Sequence, residues 1–183
     1  MMKKALLVID VQNDYFDGGK YPLVQPMQVL HKINLLEQYF LDQTLPIIYI
    51  QHINEAGLFF IKNTVGCELH PQLLIQENSL ISTKHFPNSF LETNLLALLK
   101  ARNVNELVIT GMMTHMCVDS TTRAAKDLGF NNILISDAVA TRALEFEGQT
   151  SQAQDVQIAY LSALQKFAHI ITAEQFLNIE RGA

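Results

Sequence analysis

Strand-like and helix-like segments alternate along most of the 183-residue chain, and this alternation restricts the possible fold more than any other feature. Apolar, often β-branched runs predict six strands, at residues 4–10, 46–52, 80–84, 106–111, 132–137 and 169–172. Helical spacing or capping signals predict helices at 26–41, 89–102, 117–128 and 151–167. The pattern is typical of an α/β fold: a three-layer, Rossmann-like, open and mostly parallel six-stranded sheet with helices on both faces.

The length predicts one domain spanning residues 1–183, with a core large enough to need neither disulfides nor a metal. Residues 53–78 contain Gly57, Gly66 and Pro71 but few periodic signals, which predicts a long irregular segment of the kind that often covers a site. A dinucleotide-binding domain is disfavoured, because no Gly-x-Gly-x-x-Gly follows Asp10.

Composition excludes several function classes. Two cysteines are too few for a disulfide framework, and the first apolar run is too short for a signal peptide, so we expect a cytoplasmic protein with reduced thiols. No apolar run reaches the ~20 residues of a membrane span. A net charge of -5 with scattered basic residues does not indicate nucleic-acid binding, which leaves a small-molecule partner. The 17% charged and 49% hydrophobic fractions favour a homodimer or higher homo-oligomer.

The segment Thr110–Thr121 carries the strongest indication of chemistry. An apolar strand ends there, the chain turns at Gly111, and Cys117 follows in what is predicted to be the first turn of a helix. Unpaired N–H groups and the positive end of a helix dipole favour a thiolate, the form that attacks carbon. Free cysteines are more often small buried hydrophobes, so position alone does not identify a nucleophile.

Asp10 and Lys84 each end a predicted strand. Ligands of open parallel sheets bind beyond the carboxyl ends of the strands, so we expect these two side chains at the same edge as Cys117. A carboxylate can accept the proton of a thiol, and an ammonium can stabilise the resulting charges. No histidine has a position that singles it out as the base.

The sequence resembles the isochorismatase-like cysteine hydrolases from Leu7 to about Thr172. The shared motifs are Val8-Ile9-Asp10-Val11-Gln12-Asn13-Asp14, Lys84 with Asn88-Ser89-Phe90, Gly111-Met112-Met113-Thr114-His115-Met116-Cys117-Val118 with Thr121 and Arg123, and Asp137-Ala138.

The resemblance implies a triad of Cys117 as nucleophile, Asp10 as the base and Lys84 as the stabilising charge. It also implies a cis peptide between Met112 and Met113, and an oxyanion hole formed by the backbone N–H groups of Met113 and Cys117. The implied reaction is hydrolysis of an amide-like C–N bond through a thioester, without a cofactor.

The resemblance leaves two alternatives open. Nicotinamidases of this family carry an Asp-x-His metal site after the second strand, but this chain has Gln51-His52-Ile53-Asn54 there, so we expect no metal, although His52 and His85 could approach one another. The alternatives to an amidase are therefore a nicotinamidase, disfavoured by Gln51, and a catalytically silent member that only binds a small molecule or a partner.

The candidate substrate-binding residues are Gln12, Phe16, His52, Phe60, His115 and Thr121. All of these except His52 also have a structural interpretation: Gln12 orients Asp10, Phe16 and Phe60 belong to the core, His115 is a solvated turn residue, and Thr121 bonds within its helix. Phe16 and Phe60 are better placed than Phe130 to line a pocket. We expect Asp14 to bond nearby backbone and Cys67 to be structural.

Overall fold

The computed structural model describes residues 3–182, so the first two residues and the last residue of the predicted domain lie outside the described residues. The strands and helices, in chain order, are β1 (Lys4–Ile9), α1 (Pro26–Asp42), β2 (Ile47–His52), β3 (Leu80–Lys84), α2 (Leu95–Ala101), β4 (Glu106–Met112), α3 (Asp119–Asp127), β5 (Asn131–Ala140), β6 (Leu144–Phe146), β7 (Gln149–Ser151), α4 (Ala153–Leu164), β8 (His169–Ile171) and α5 (Ala173–Arg181). Short 3-10 turns lie at Asn13–Tyr15 and Val65–Cys67, and a π-helical turn lies at Thr114–Val118.

The main sheet has six strands in the order β3-β2-β1-β4-β5-β8, and every neighbouring pair is parallel. This confirms the predicted fold class. Alternate residues of β1 enter opposite cores: Leu6 and Val8 pack with the buried faces of α1 and α5, whereas Leu7 and Ile9 pack with those of α2, α3 and α4. Because successive side chains of a strand point to opposite faces, this alternation produces three layers.

The predicted helix 89–102 was wrong over its first half. The Ser89–Glu92 pattern does not cap a helix, because Glu92 is left-handed (φ 56°) and the Ser89 backbone N–H donates to Thr121 Oγ1 at 3.1 Å. The helix found in this region is α2, and it begins only at Leu95. Tertiary contacts of the connecting segment therefore override the local capping signal.

Five elements, α3, β5, β6, β7 and α5, differ from the sequence-based expectations in other ways. The helix after Cys117 begins at Asp119, after the π-helical turn, and β5 runs three residues past the predicted end, to Ala140. The hairpin of β6 and β7 and the helix α5 were not predicted. A Thr172–Gln175 capping box at the start of α5 is the signal that could have found this helix.

A buried carboxyl holds the long irregular segment against the core. Glu37 of α1 is fully buried, and its Oε1 accepts hydrogen bonds from the Tyr49 hydroxyl (2.6 Å) and the Leu74 N–H (3.0 Å). Burial raises the pKa of Glu37, although these two hydrogen bonds act in the opposite direction. Residues 53–78 are thus anchored to both α1 and β2, and they remain free of helices and strands other than the turn at Val65–Cys67, as expected.

No helix among residues 3–182 is both long and apolar enough to cross a membrane.

Candidate active site

Asp10, Lys84 and Cys117 meet at the carboxyl edge of the sheet. Lys84 Nζ lies 2.7 Å from Asp10 Oδ2 and 3.2 Å from Cys117 Sγ. Asp10 and Lys84 are completely buried, and Cys117 is 4% exposed. The three residues come from the ends of β1, β3 and β4, which lie within four consecutive strands of the sheet, so the parallel topology itself brings them together.

Gly111 allows β4 to approach β1 closely at this edge. It has a φ of 119°, and a Cβ atom at this position would lie 2.0 Å from the Ile9 carbonyl oxygen. Only glycine combines this backbone conformation with such a close contact. The following peptide bond, between Met112 and Met113, is cis, and Met113 leads into the turn that carries Cys117.

The Lys84 ammonium lies close to more hydrogen-bond acceptors than it has N–H donors. Besides Asp10 and Cys117, its ammonium lies 2.9 Å from His52 Nδ1 and 3.1 Å from the Phe86 carbonyl oxygen. An ammonium has three N–H donors, so four acceptors compete for them. Burial lowers the pKa of Lys84, but the charge of Asp10 and the hydrogen bonds to Asp10 and Cys117 outweigh it, and the pKa is raised. Lys84 therefore carries a positive charge at the centre of the cluster.

The thiol of Cys117 differs from the sequence-based expectation of a thiolate. Burial raises the pKa of Cys117 far above its usual range, and the negative charge of Asp10 raises it further, which outweighs the opposing effect of Lys84. Cys117 also lies in the π-helical turn rather than at the start of an α-helix. The resting residue is a thiol, so attack on carbon requires a base, and a carboxylate oxygen of Asp10 lies within 4.8 Å of the sulfur.

His52 is a neutral member of the same cluster. Burial lowers the pKa of His52, and the neighbouring Lys84 charge lowers it further. Its Nε2 lies 3.1 Å from Asn54 Oδ1, so Nε2–H donates to Asn54 while Nδ1 accepts from Lys84. His52 thus orients the ammonium, a role that sequence reasoning did not assign to it.

The side chains of Asp10, His52 and Cys117 could together hold a metal ion, since their ligand atoms lie within 4.8 Å of one another. The Lys84 ammonium, however, lies 3.2 Å or less from an atom of each of them, so a cationic group already occupies the point on which they converge. Placing a divalent ion there would set two cations in contact in a buried site. His85 is not one of these three residues, and its Nδ1 bonds the Ile53 carbonyl oxygen.

Gln12 connects the loop after β1 to its neighbours. Its Nε2 donates to the carbonyl oxygens of His52 (2.8 Å) and Cys67 (2.7 Å), and its Oε1 accepts from the His52 N–H. Gln12 is completely buried, so its amide is engaged entirely by the protein. Asp14 acts similarly: its Oδ2 accepts from the Phe60 N–H at 2.7 Å and its Oδ1 from the Lys20 N–H.

Four aromatic side chains form a continuous wall, which we call the aromatic wall: Tyr15, Tyr21, Phe59 and Phe60. Tyr21 stacks on Phe59 with ring centroids 4.5 Å apart, and Phe59 and Tyr15 each contact Phe60, at 4.9 and 4.5 Å. The Phe60 ring lies 6.1 Å from His52. The wall therefore extends from the buried cluster, and of its members sequence reasoning selected only Phe60.

The remaining candidates lie around the cluster. Phe16 lies in the core, with its ring tilted against that of His70 at a centroid distance of 4.1 Å. His115 Nδ1 lies 2.6 Å from Thr141 Oγ1.

Thr121 Oγ1 bonds the Ser89 N–H and hydroxyl. These bonds hold the segment that supplies the Phe86 carbonyl oxygen to Lys84. Cys67 is buried, with Gln12 rather than a base beside its sulfur.

A cavity of about 520 Å³ lies to one side of this cluster, between the start of α1, the end of β5 and the start of α4. Its polar lining includes Gln28, Lys32, Asp137 and Gln157, and none of Asp10, Lys84 or Cys117 contributes to it. The cluster of Asp10, Lys84 and Cys117 therefore lies outside this cavity.

Fold and site together define an α/β protein with a buried cysteine–lysine–aspartate cluster at the carboxyl edge of a parallel sheet. A family model described as the isochorismatase domain matches residues 4–175, and the chain therefore belongs to the isochorismatase family of hydrolases.

Three relatives illustrate the similarity. The uncharacterised isochorismatase family protein YddQ of Bacillus subtilis is 40% identical over 180 residues, which cover 97% of this chain and 100% of the relative. A crystal structure from Oleispira antarctica, assigned as an isochorismatase hydrolase, is 39% identical with a TM-score of 0.91 and covers 95% of each chain. A streptothricin hydrolase of Streptomyces noursei is 31% identical over 138 residues, 75% of this chain and 50% of the relative.

Proposed function

We propose that this protein is a cysteine hydrolase that cleaves the C–N bond of a small amide or N-carbamoyl compound through a thioester on Cys117. The observation that carries the proposal is the position of the Lys84 ammonium, 2.7 Å from Asp10 and 3.2 Å from Cys117 in a buried site. A base, a thiol and a fixed cation are the parts that nucleophilic attack on a carbonyl requires. The relation to a streptothricin hydrolase is in line with hydrolysis.

In the first half of the reaction, Asp10 accepts the Cys117 proton as the sulfur attacks the substrate carbonyl carbon. The carbonyl electron pair moves to oxygen, and the N–H groups of Met113 and Cys117 stabilise the resulting oxyanion, each contributing about 3 kcal/mol by analogy with measured oxyanion donors. The oxyanion then collapses, the C–N bond breaks, and Asp10 returns its proton to the departing nitrogen. Lys84 stays protonated throughout and stabilises both the carboxylate and the sulfur.

In the second half, Asp10 takes a proton from water as the water oxygen attacks the thioester carbonyl. The C–S bond breaks, the acid product leaves, and the proton on Asp10 returns to sulfur. The raised pKa of Cys117 suits this cycle, because the thiol is restored between turnovers rather than left as an exposed, oxidisable thiolate.

The test is release of ammonia or amine from a panel of primary amides, including nicotinamide, and N-carbamoyl compounds. Cys117→Ala and Asp10→Asn should each abolish turnover, with losses of at least about 10⁴-fold. Cys67→Ala is the matched control, since Cys67 is also buried but lacks an acid–lysine pair, and it should retain activity. An acyl adduct on the Cys117 peptide, detected by mass spectrometry after rapid quenching, would support the thioester.

Retained turnover by Cys117→Ala would overturn the proposal. The same would follow if no amide or carbamoyl compound were hydrolysed although Cys117 reacted normally with a thiol-directed probe. Activity that depended on an added divalent metal would instead favour a nicotinamidase-like site.

A further inference from the structure

Two buried hydroxyl side chains, Ser89 and Thr121, fasten the segment after β3 to the helix after Cys117, and we call this pair the hydroxyl clamp. Thr121 Oγ1 accepts a hydrogen bond from the Ser89 N–H at 3.1 Å and lies 2.8 Å from the Ser89 hydroxyl oxygen. The Ser89 carbonyl oxygen accepts from the Thr93 hydroxyl at 2.7 Å. Ser89 and Thr121 are completely buried, so water does not compete for these bonds and the two segments are held at one separation.

Each end of the hydroxyl clamp leads to a group beside the Lys84 ammonium. Thr121 follows Cys117 by four residues, and the π-helical turn that contains Cys117 continues directly into α3, so both residues belong to one helical segment. On the other side, Phe86 precedes Ser89 by three residues, and its carbonyl oxygen lies 3.1 Å from Lys84 Nζ. The clamp therefore fixes the Cys117 sulfur relative to the Phe86 carbonyl oxygen.

The sulfur and this carbonyl oxygen compete for the same ammonium. Lys84 Nζ lies 3.2 Å from Cys117 Sγ and 3.1 Å from the Phe86 oxygen, and its three N–H donors are shared among four acceptors. A carbonyl oxygen is a stronger acceptor than the sulfur of a thiol. A carbonyl group that was free to move closer to the ammonium would therefore take the N–H that otherwise reaches the sulfur.

We propose that Thr121 and Ser89 are positioning residues for the nucleophile: by fixing the Phe86 carbonyl oxygen, they keep an N–H of Lys84 directed at the Cys117 sulfur as the thiolate forms. For its effect on turnover, this proposal rests on the proposed C–N hydrolase function. Its effect on the sulfur is independent of any substrate. Thr121 then acts without touching the substrate, because its hydroxyl is already bonded to Ser89.

The test compares Thr121→Val with Thr122→Val. Valine replaces the hydroxyl by a methyl group of similar size in both variants. Thr122 is the matched control, because it is the next residue of the same helix and is also completely buried, but its hydroxyl bonds the Val118 carbonyl oxygen within the helical segment at 2.7 Å. Thermal unfolding of both variants measures what each substitution costs in stability.

The first readout is the rate at which iodoacetamide alkylates Cys117 between about pH 6 and pH 10, followed by mass spectrometry of the Cys117 peptide. Burial and the Asp10 charge raise the pKa of Cys117 and Lys84 opposes them, so a weaker contact with Lys84 shifts the rate profile to higher pH. Thr121→Val should slow alkylation near pH 8 by about 10- to 100-fold, the range for a hydrogen bond from a charged group. Thr122→Val should stay within about twofold of the wild type, and Thr121→Ser should restore the wild-type profile.

The second readout is turnover of the best amide or N-carbamoyl substrate. Thr121→Val should lower kcat by about 10- to 100-fold and leave KM within about twofold, because the lost interaction acts on the reacting sulfur and not on substrate binding. If Thr121→Val does not fold, Ser89→Ala takes its place. That variant removes one of the two bonds of the clamp and should slow both alkylation and turnover by at least about threefold.

Equal alkylation rates and pH profiles in Thr121→Val and Thr122→Val would mean that the clamp only supports the fold, and would overturn the proposal. An unchanged profile in Ser89→Ala would have the same meaning if Thr121→Val did not fold. Slower alkylation in Thr121→Val, together with a wild type that hydrolyses no amide, would contradict the C–N hydrolase function but support the clamp. Hydrolysis by the wild type with equal kcat in the two valine variants would do the reverse.

Discussion

Replacement of Lys84 by methionine tests the charge arrangement of the site. The substitution keeps a long unbranched side chain but removes the ammonium, so the completely buried Asp10 loses the cation 2.7 Å away. At that distance and an effective dielectric constant of about 20, the attraction between the two charges is about 6 kcal/mol, part of which offsets the cost of burying them. Removal of one partner of a buried pair costs about 3–5 kcal/mol, and we expect Lys84→Met to lower the free energy of unfolding by that amount.

A double-mutant cycle with Asp10→Asn isolates the interaction. The amide removes the buried negative charge, so Lys84→Met should be far less costly in that background, with a coupling energy of at least about 2 kcal/mol. Urea denaturation of the four proteins near pH 7.5, followed by circular dichroism, measures each free energy. The control is Lys62→Met, which breaks a pair with Glu55 at 2.8 Å on the exposed surface and should have little effect.

Additive effects of the two substitutions, within about 0.5 kcal/mol, would refute the reasoning. Additivity would mean that Asp10 and Lys84 do not stabilise one another in the folded protein. The proposed mechanism would then lose its fixed cation, because it requires Lys84 to hold both the carboxylate and the sulfur.

Three further predictions concern the surroundings of the site. The pKa of His52 is lowered in the folded state, so the contribution of this residue to stability is complete above its unfolded pKa and is lost as the pH falls. His52→Asn should therefore lose less stability than the wild type between about pH 7.5 and pH 5, as measured by urea titrations. The pKa of Glu37 is raised, so the pH dependence of its contribution to stability is reversed: the contribution is complete at low pH and declines as the pH rises through the folded-state pKa. Glu37→Gln keeps an oxygen for both hydrogen bonds, and it should gain stability relative to the wild type from about pH 4 to pH 8. Gly111→Ala should lower the stability by more than about 4 kcal/mol or prevent folding, because its Cβ would lie 2.0 Å from a carbonyl oxygen. Gly148→Ala is the control: this glycine also has a positive φ (74°), but nothing lies within 4 Å of its Cβ position, so the substitution should cost only about 1 kcal/mol in thermal unfolding.

Much of the fold could be predicted because strands and amphipathic helices follow from local periodicity. The errors occurred where distant contacts replace local ones. Ser89 looks like a helix cap, yet its N–H is bonded to Thr121, 32 residues away. Short exposed strands such as β6 and β7 carry no burial pattern, since nearly all of their residues face outward. Periodicity cannot indicate elements of this kind.

The candidate site was predicted in part for a topological reason. Strand ends of a parallel sheet share one edge, so the types and positions of Asp10, Lys84 and Cys117 were enough to select them. The contact of His52 with the Lys84 ammonium depends on the register of β2 and β3, in which these two residues are partners. The predicted fifth strand ended at residue 137, whereas β5 continues to Ala140 at the same edge of the sheet.

The sequence by itself determined the alternation of elements, the parallel sheet and the reactive residue types at its edge, because these depend on local patterns and on rules of chain connection. The protonation of the cluster was decided only by the tertiary structure. A helix start favours a thiolate, but the burial of Cys117 beside Asp10 raises its pKa and makes the resting sulfur a thiol. The aromatic wall and the contact of Arg142 with the Tyr21 ring likewise arise from loops that are distant in sequence, and their packing depends on contacts that no local pattern encodes.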